Sequence, residues 1–198
     1  MKTLLVTCFE PFGGEKINAS MSAAALMPDE IGACRVVKTT LPVVFGEAGN
    51  KAISAALDCK ADAVLCVGEA KGRKDVTPEA VAVNIRYAAI PDNAGNEPRD
   101  VPVIPGGREA FFSNAPVRRI AETIAEAGVP ASVSYSAGTY VCNDLYYTVL
   151  DRFSGAGTPV LFVHLPAAPE WGTPSLDSKR SAAALVIAAR SRINSLEK

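Results

Sequence analysis

The stretch AVLCVG occupies residues 63–68 and contains no polar side chain. A short apolar run that ends at a glycine is typical of a strand that is covered on both faces of a parallel sheet. Two other runs have the same character, Thr3–Thr7 (TLLVT) and Pro159–Leu165 (PVLFVHL). Together they predict a buried sheet with helices packed against it.

Segments with helical spacing or helix-end signals alternate with these strands. The predicted helices are Asn18–Met27, Gly46–Leu57, Val117–Gly128, Cys142–Phe153 and about Ser175 to Leu196, and the further extended segments are Cys34–Leu41, Val81–Ile90 and Ser132–Ser136. No repeat, low-complexity tract or linker interrupts this order. We therefore expect residues 1–198 to form a single α/β domain with a central, largely parallel sheet.

Composition excludes several classes of protein. The 198 residues carry 20 Lys and Arg against 21 Asp and Glu, a net charge of -1, which argues against nucleic-acid binding. No apolar run reaches the ~20 residues that span a bilayer. The first apolar run is followed by Glu10 and Pro11, so it predicts a core strand rather than an export signal. We expect a cytoplasmic protein without membrane contact.

The cysteines and the histidine limit the possible chemistry. Five cysteines, at positions 8, 34, 59, 66 and 142, are scattered without a CxxC pair, and His164 is the only histidine. A disulfide framework or a zinc site needs paired or clustered ligands. We therefore predict no structural disulfides and no metal.

Reactive side chains follow four of the predicted strands. TLLVT leads into CFEPFGG, AVLCV into GEAKGRK, SVSYS into AGTYVCN, and PVLFV into HLPAAPE. In open parallel sheets, ligands bind beyond the carboxyl ends of the strands. We expect these loops to share one crevice.

Cys142 stands where a strand gives way to a helix. Free N–H groups and the helix dipole at such a position favour a thiolate, and a nearby imidazolium favours it further. The alternative is a small core residue, which is the usual role of a cysteine. The other four cysteines fit that second role.

His164 ends its strand and can act near neutral pH as both base and acid. A Cys–His pair generally needs a third group that orients the ring. Glu79, in TPEAVAVN, is available, although by itself it looks like a surface carboxylate in a turn. A hydrogen-bonded histidine at a sheet end is the alternative for His164.

Five segments taken in order resemble the pyroglutamyl peptidases, intracellular cysteine peptidases that remove N-terminal 5-oxoproline. The segments are VTCFEPFGGEKIN (6–18), GEAKGRKDVTPEAVAVN (68–84), PDNAGN (91–96) with IPGG (104–107), SAGTYVCNDLYY (136–147) and FVHLPAAPE (162–170). The resemblance extends from residue 4 to about residue 170. It implies a single three-layer α/β/α domain with a twisted sheet, no cofactor or metal, and a homotetramer.

The resemblance also implies roles for particular residues. Cys142 corresponds to the nucleophile, His164 to the general base and acid, and Glu79 to the group that orients the imidazole. The positions that correspond to the substrate pocket are Phe9, Phe12, Asn18, Ile90, Tyr140 and Val141. The expected partners are peptides with an N-terminal pyroglutamate.

The chain departs from the family pattern near this pocket. The family usually has glycine at positions 8 and 71, glutamine at 69 and arginine at 80 and 89, where this chain has Cys8, Lys71, Glu69, Ala80 and Ala89. Arg86 is a candidate for supplying the missing cation. These changes affect the expected rate and specificity and leave the three catalytic positions intact.

Two alternatives remain at this level. One is a relative with low activity or altered specificity, which binds blocked peptide N-termini without efficient cleavage. The other is a Cys-dependent amidase, for which the glycines that flank a tight nucleophile elbow are missing around Cys142.

Overall fold

The computed structural model describes residues 1–172 and 174–194. The strands are β1 (Lys2–Phe9), β2 (Glu30–Ile31), β3 (Cys34–Leu41), β4 (Ala63–Glu69), β5 (Thr77–Pro78), β6 (Val81–Val83), β7 (Ala110–Phe112) and β8 (Val160–Leu165). The helices are α1 (Ala19–Leu26), α2 (Glu47–Asp58), α3 (Val117–Glu126), α4 (Val141–Ser154) and α5 (Ser178–Asn194), with a 3₁₀ turn at Pro169–Trp171. Within the described part of the chain, no helix has the length and apolar character needed to cross a membrane.

The central sheet has the order β2-β3-β1-β4-β8-β5. The four inner strands run parallel, whereas β2 and β5 pair antiparallel at the two edges. The pairing of β4 with β8 sets Gly68 opposite His164, and β5 sets Thr77 opposite the same histidine. The carboxyl ends of β1, β4 and β8 therefore meet at one edge of the sheet.

Alternate residues of the inner strands pack into two separate apolar cores. In β4, Leu65 and Val67 join α1, α3 and α5 on one face, whereas Val64 and Cys66 join α2 and α4 on the other. Each of these side chains is fully buried. The apolar character of the run is explained, because both faces of the strand are covered by helices. The fold is a three-layer α/β/α domain, as predicted.

The predicted strand Ser132–Ser136 is wrong. The segment makes only isolated parallel bridges, Val76 with Ala131 and Glu79 with Ser134. Its neighbour β5 is two residues long and includes Pro78, which has no N–H to donate, so a continuous ladder cannot form.

The segment Val81–Ile90 is extended only at its start. Val81–Val83 forms β6 and pairs antiparallel with β7, which sequence patterns did not indicate. The last helix also begins later than predicted, at Ser178, because Asp177 Oδ1 accepts the N–H groups of Lys179 and Arg180. Its predicted end at Leu196 lies outside the described residues.

Candidate active site

A cavity of about 280 Å³ opens beyond the carboxyl ends of β1 and β4. Its walls include Cys142 and all six side chains predicted to bind substrate, and the full lining is Phe9, Phe12, Glu15, Asn18, Val43, Glu69, Lys71, Ile90, Tyr140, Val141 and Cys142. Val43 and Glu15 were not predicted from the sequence. The volume lies near the lower end of ligand pockets, which are roughly 300–1,000 Å³, so a small group fits best.

Aromatic rings form one wall of the cavity. The ring of Tyr140 packs against Phe12, with centroids 5.4 Å apart, and against Phe45 at 5.2 Å. The Tyr140 hydroxyl donates to the carbonyl oxygen of Pro91 at 3.0 Å. Asp92 holds that loop in place, since its carboxylate accepts the N–H of Phe45 at 2.9 Å. The wall is therefore fixed before any ligand arrives.

Asn18 lines the cavity, but its side chain is committed to the fold. Its Oδ1 accepts the N–H of Ser20 at 3.0 Å and so caps α1, and its Nδ2 donates to the carbonyl oxygen of Glu10 at 3.2 Å. Asn18 shapes the cavity mainly by holding the start of α1 against the loop that follows β1.

Glu69 supplies a carboxylate at the end of β4. Its Oε2 accepts the N–H of Ala19 at 2.6 Å, at the first residue of α1. Burial raises the pKa of Glu69, and the hydrogen bond from Ala19 opposes that shift. Lys71 and Glu15 form an ion pair on the same wall. The departures at positions 69 and 71 thus give the cavity a charged side.

Cys142 is the second residue of α4 and lies on the cavity wall. Tyr140 occupies the N-cap position, and its side chain makes no capping hydrogen bond. The first N–H groups of α4 therefore remain available to a ligand. They lie on the chain directly beside the thiol.

Gly68 provides the space in which Cys142 and His164 approach each other. A Cβ atom built on Gly68 would lie 3.0 Å from Cys142 Sγ and 3.1 Å from His164 Cδ2. Cδ2 adjoins Nε2 in the imidazole ring, so this edge of the ring and the sulfur border the same space. The sequence indicated that the strand ends at Gly68, whereas β4 continues to Glu69. It gave no sign of this role for the glycine.

The helix start favours a thiolate at Cys142, whereas the surroundings of its sulfur favour the thiol. Burial by the surrounding protein, followed by the negative charge of Glu79, raises the pKa of the thiol to about 12. The residue as a whole is only part-buried because it lines the cavity, yet protein atoms surround its sulfur closely. Glu69 adds to the upward shift, and Arg73 opposes it.

His164 is buried at the end of β8, with 4% of its surface exposed. Its Nδ1 donates to Glu79 Oε1 at 2.7 Å, which leaves the Nε2 lone pair on the side of Cys142. Burial, together with the positive charge of Arg73, lowers the pKa of His164 more than the neighbouring Glu79 raises it. The ring is neutral at neutral pH, with its free nitrogen suited to accept a proton.

Glu79 is fully buried rather than a surface carboxylate in a turn. Its backbone N–H donates to Phe162 and the Tyr146 hydroxyl donates to its carbonyl oxygen, so the residue is anchored to β8 and α4. Arg73 Nη1 donates to Glu79 Oε1 at 2.6 Å. Sequence patterns did not single out Arg73, because Lys–Gly–Arg–Lys in a loop is usually a solvated basic turn.

Arg86 does not supply a cation to the cavity. Its Nε donates to Asp144 Oδ1 at 2.5 Å, and the other oxygen of this buried carboxylate accepts the N–H of Gly46. Asn143 beside it binds the backbone of Val83 in both directions, at 2.9 Å each. Both residues after Cys142 therefore fix the start of α4, a function that no sequence motif indicated.

The remaining departures lie away from the cavity lining. Ala89 borders a shallow adjoining pocket with Phe12 and Tyr140, and Ala80 donates its N–H to Ser134. Cys8 is buried against Thr39 and Thr40, and burial raises the pKa of its thiol. Burial likewise raises the pKa values of Cys34, Cys59 and Cys66. Cys34, Cys59 and Cys66 are packing residues, as predicted from their apolar surroundings. Cys8, predicted to lie in a loop near the crevice, instead lies in β1 and is not part of the cavity lining.

A larger, more open groove of about 690 Å³ lies on the other side of the loop that follows β4. Arg73, Ser134 and Tyr135 line it, but Cys142 does not. Size alone therefore does not mark the reactive site. The smaller cavity contains the thiol.

Comparisons with known proteins show the family to which the chain belongs. A family model described as pyroglutamyl peptidase matches residues 2–195. The pyrrolidone-carboxylate peptidase of Escherichia fergusonii is 47% identical, covering 89% of this chain and 86% of its own length, and that of Yersinia pestis strain Pestoides F is 43% identical, covering 95% and 91%.

Solved structures give the same result. Pyroglutamyl peptidase I from Bacillus amyloliquefaciens has a TM-score of 0.93 at 38% identity, over 98% of both chains. Pyrrolidone carboxyl peptidase from Thermococcus litoralis also has a TM-score of 0.93, at 33% identity, over 100% of this chain and 96% of that one. The chain therefore belongs to the pyroglutamyl peptidase family, whose members are cysteine-type omega peptidases.

Proposed function

We propose that the chain removes N-terminal pyroglutamyl residues from peptides, with Cys142 as nucleophile, His164 as general base and acid, and Glu79 as the group that orients the imidazole. One observation carries this assignment. Cys142 Sγ and the Nε2 edge of His164 flank the same point above Gly68, while the opposite nitrogen of the ring is held by Glu79. This is the arrangement that a thiol nucleophile and its base require.

The reaction begins from an uncharged thiol and an uncharged imidazole. As the sulfur attacks the pyroglutamyl carbonyl carbon, a C–S bond forms and the thiol proton passes to His164 Nε2. The carbonyl oxygen takes up the electron pair of the C=O double bond. Backbone N–H groups at the start of α4 stabilise this negative oxygen, since the side chain at the N-cap leaves them free.

The leaving peptide then departs with the proton that His164 received. The C–N bond breaks as Nε2 protonates the amine, and a thioester remains on Cys142. His164, neutral again, removes a proton from water as the water oxygen attacks the thioester carbonyl carbon. The C–S bond then breaks, pyroglutamate leaves, and the proton on Nε2 returns to the Cys142 sulfur. Glu79 Oε1 accepts the Nδ1 proton through both halves and stabilises the transient imidazolium.

The cavity suits an uncharged, flat ring. Phe9, Phe12 and Tyr140 provide apolar and aromatic contact area, and Ile90 lies at the exposed rim. Glu69 offers the second oxygen of its carboxylate to the lactam N–H. A site built to bond a polar group rejects analogues that lack it more firmly than it rejects an added methylene.

A second candidate is a slow relative that holds blocked peptides longer than it cleaves them. Glu69 favours it, because its negative charge raises the pKa of the nucleophilic thiol. A Cys-dependent amidase with a free glutamine side chain as substrate has less support, because a charged α-amino group would enter a cavity with aromatic walls.

We also propose a cytoplasmic location and assembly into a homo-oligomer, with the tetramer implied by the family resemblance. All five cysteines are free, which fits a reducing compartment. Large apolar side chains are exposed in the segment between β6 and α3. Among them are Ile85, Val101 and Phe112, the last with 79% of its surface exposed. Such side chains are typical of surfaces that a second copy covers.

Replacing the nucleophile tests the proposal directly. Cys142→Ala should lower kcat/KM for a pyroglutamyl-aminocoumarin on the order of 10⁴-fold or more, because no other group can form the thioester. Cys59→Ala, which removes a thiol far from the cavity, is the control and should keep wild-type activity. Iodoacetamide should inactivate the wild type and the control alike. Activity retained in Cys142→Ala, or hydrolysis of glutamine by the wild type, would contradict the assignment.

Enlarging Gly68 tests the contact between the thiol and the imidazole. Gly68→Ala should reduce kcat roughly 10²-fold, because the added methyl group would lie 2.9 Å from Phe162 Cζ and within 3.1 Å of Cys142 Sγ and His164 Cδ2, and so would push the thiol and the imidazole apart. Gly155→Ala, where a Cβ meets nothing within 4 Å, is the matched control. Thermal unfolding followed by circular dichroism separates a displaced pair from a lost fold. A folded Gly68→Ala enzyme with full activity would show that the two groups act independently.

Two substitutions at Glu69 test the lactam contact. Glu69→Gln keeps one acceptor oxygen and replaces the other with an NH2 group, so only one of the lactam and Ala19 N–H groups keeps its own acceptor. KM should therefore rise, though by less than in Glu69→Leu, while the rate of Cys142 alkylation increases, since a negative charge near the sulfur is gone. Glu69→Leu removes the acceptor and should raise KM roughly tenfold to a hundredfold, the equivalent of about 1–3 kcal/mol for an unpaired polar group. An unchanged KM in a folded Glu69→Leu enzyme would exclude the contact.

Light scattering of the purified, reduced chain tests the assembly. The expected mass is a multiple of the 20.7 kDa chain, and Phe112→Glu should shift the mass toward that of a single chain, because a charge would be buried in the interface. Exposed Lys51→Glu is the control on α2. A monomeric wild type at micromolar concentration would contradict the proposal.

A further inference from the structure

Arg73 lies in the loop between β4 and β5, outside the cavity that contains Cys142. Its Nη1 donates to Glu79 Oε1 at 2.6 Å and to Thr77 Oγ1 at 2.7 Å, and its Nη2 donates to the carbonyl oxygen of Ser136 at 3.3 Å. We propose that Arg73 is a positioning residue for the reaction, which holds the Glu79 carboxylate in the one orientation that presents Oε1 to His164. The proposal rests on the role of Glu79 given above.

The hydrogen bonds of Glu79 are concentrated on one oxygen. Oε1 accepts from both His164 Nδ1 and Arg73 Nη1, whereas Oε2 is buried without a hydrogen-bond partner. Rotation of a carboxylate about its last bond is a soft motion. Arg73 and His164 together hold Oε1, so the loss of either partner would leave the carboxylate free to turn. A planar guanidinium that is itself tied to Thr77 and Ser136 resists that turn better than a single flexible ammonium.

Arg73 also balances the charge of Glu79. A fully buried carboxylate without a counterion is costly, and its negative field acts on both reacting groups. The charged and titratable groups around His164 are Glu79, Arg73 and the Cys142 thiol, and those around the Cys142 sulfur are His164, Glu79, Arg73, Cys66 and Glu69. In both sets Arg73 lowers the pKa, opposing Glu79.

The direction of the pH effect follows from these signs. Arg73 holds the pKa of His164 down, so it keeps the imidazole neutral, and thus basic, to lower pH. Without the positive charge of Arg73, the negative charge of Glu79 has no opposing charge beside it, so the pKa of His164 rises. The base is then protonated up to a higher pH, and the acidic limb of kcat/KM moves upward.

The single histidine of the chain makes a direct measurement possible. In untagged protein carrying Cys142→Ala, nuclear magnetic resonance of the imidazole reports the titration of His164 alone. Arg73→Gln should raise that titration midpoint, whereas Arg73→Lys should leave it close to that of the parent. Lys74→Gln removes the same charge from the adjacent, exposed residue and is the matched control, which should not move the midpoint.

Kinetics in the active background test the positioning itself. We expect Arg73→Gln to lower kcat for a pyroglutamyl-aminocoumarin roughly tenfold to a hundredfold, with KM nearly unchanged, and to move the acidic limb upward. Arg73→Lys should keep the limb in place and recover part of kcat. Thermal unfolding shows whether each variant is folded. If Arg73→Gln does not fold, the kcat of Arg73→Lys is compared with that of Lys74→Gln, and a lower kcat in Arg73→Lys alone supports the positioning role.

Two results would overturn the proposal. One is an Arg73→Gln enzyme that is folded and matches Lys74→Gln in kcat and in the His164 titration. The other is a loss confined to KM or to thermal stability, which would make Arg73 a purely structural residue. Neither resembles a failure of the proposed function, which would appear as a wild-type enzyme that does not cleave the substrate or is insensitive to Cys142→Ala.

Discussion

The register of β8 against its two neighbours is the constraint on which the site depends. β4 sets Gly68 opposite His164, and β5 sets Thr77 opposite the same residue from the other side. The first pairing creates the gap that the thiol enters. The second brings Glu79, two residues after Thr77, to hydrogen-bonding distance of the imidazole. A shift of β8 by one residue would turn His164 to the opposite face of the sheet and separate all three groups.

Burial has opposite consequences for stability and for chemistry at this edge of the sheet. It gives the domain two apolar cores that share the inner strands, and it also removes water from the thiol and the imidazole. The pKa of the thiol rises and that of the imidazole falls, so burial favours the uncharged form of both groups, from which the proposed mechanism starts. The proton therefore moves during the attack rather than before it. This differs from a resting thiolate–imidazolium pair, in which helix dipole and cation outweigh desolvation.

Much of the fold follows from short-range patterns. The runs at residues 3–7, 63–67 and 159–165 are apolar on both faces because helices cover both faces, and that pattern depends little on the rest of the chain. The elements that sequence reasoning missed or misjudged are short and lie at edges, such as β5 and the segment Ser132–Ser136. There a single residue such as Pro78, or one hydrogen bond between two segments, decides whether a strand forms. Those hydrogen bonds arise only after segments that are distant in sequence have met.

The same distinction explains which site residues could be found. Cys142, His164 and Glu79 stand in segments whose order resembles a known family, and residue type alone limits what they can do. Arg73 and Arg86 are both arginines in polar surroundings, and sequence patterns made Arg86 the better candidate for a cation near the thiol. The structure assigns Arg86 to Asp144 and Arg73 to Glu79. Which carboxylate each guanidinium reaches is decided by the path of two loops, and this path depends on how β5 and α4 pack against β8. The charge near the nucleophile is therefore set by tertiary structure. The missing arginine at position 89 does not define that charge until the partners of the remaining arginines are known.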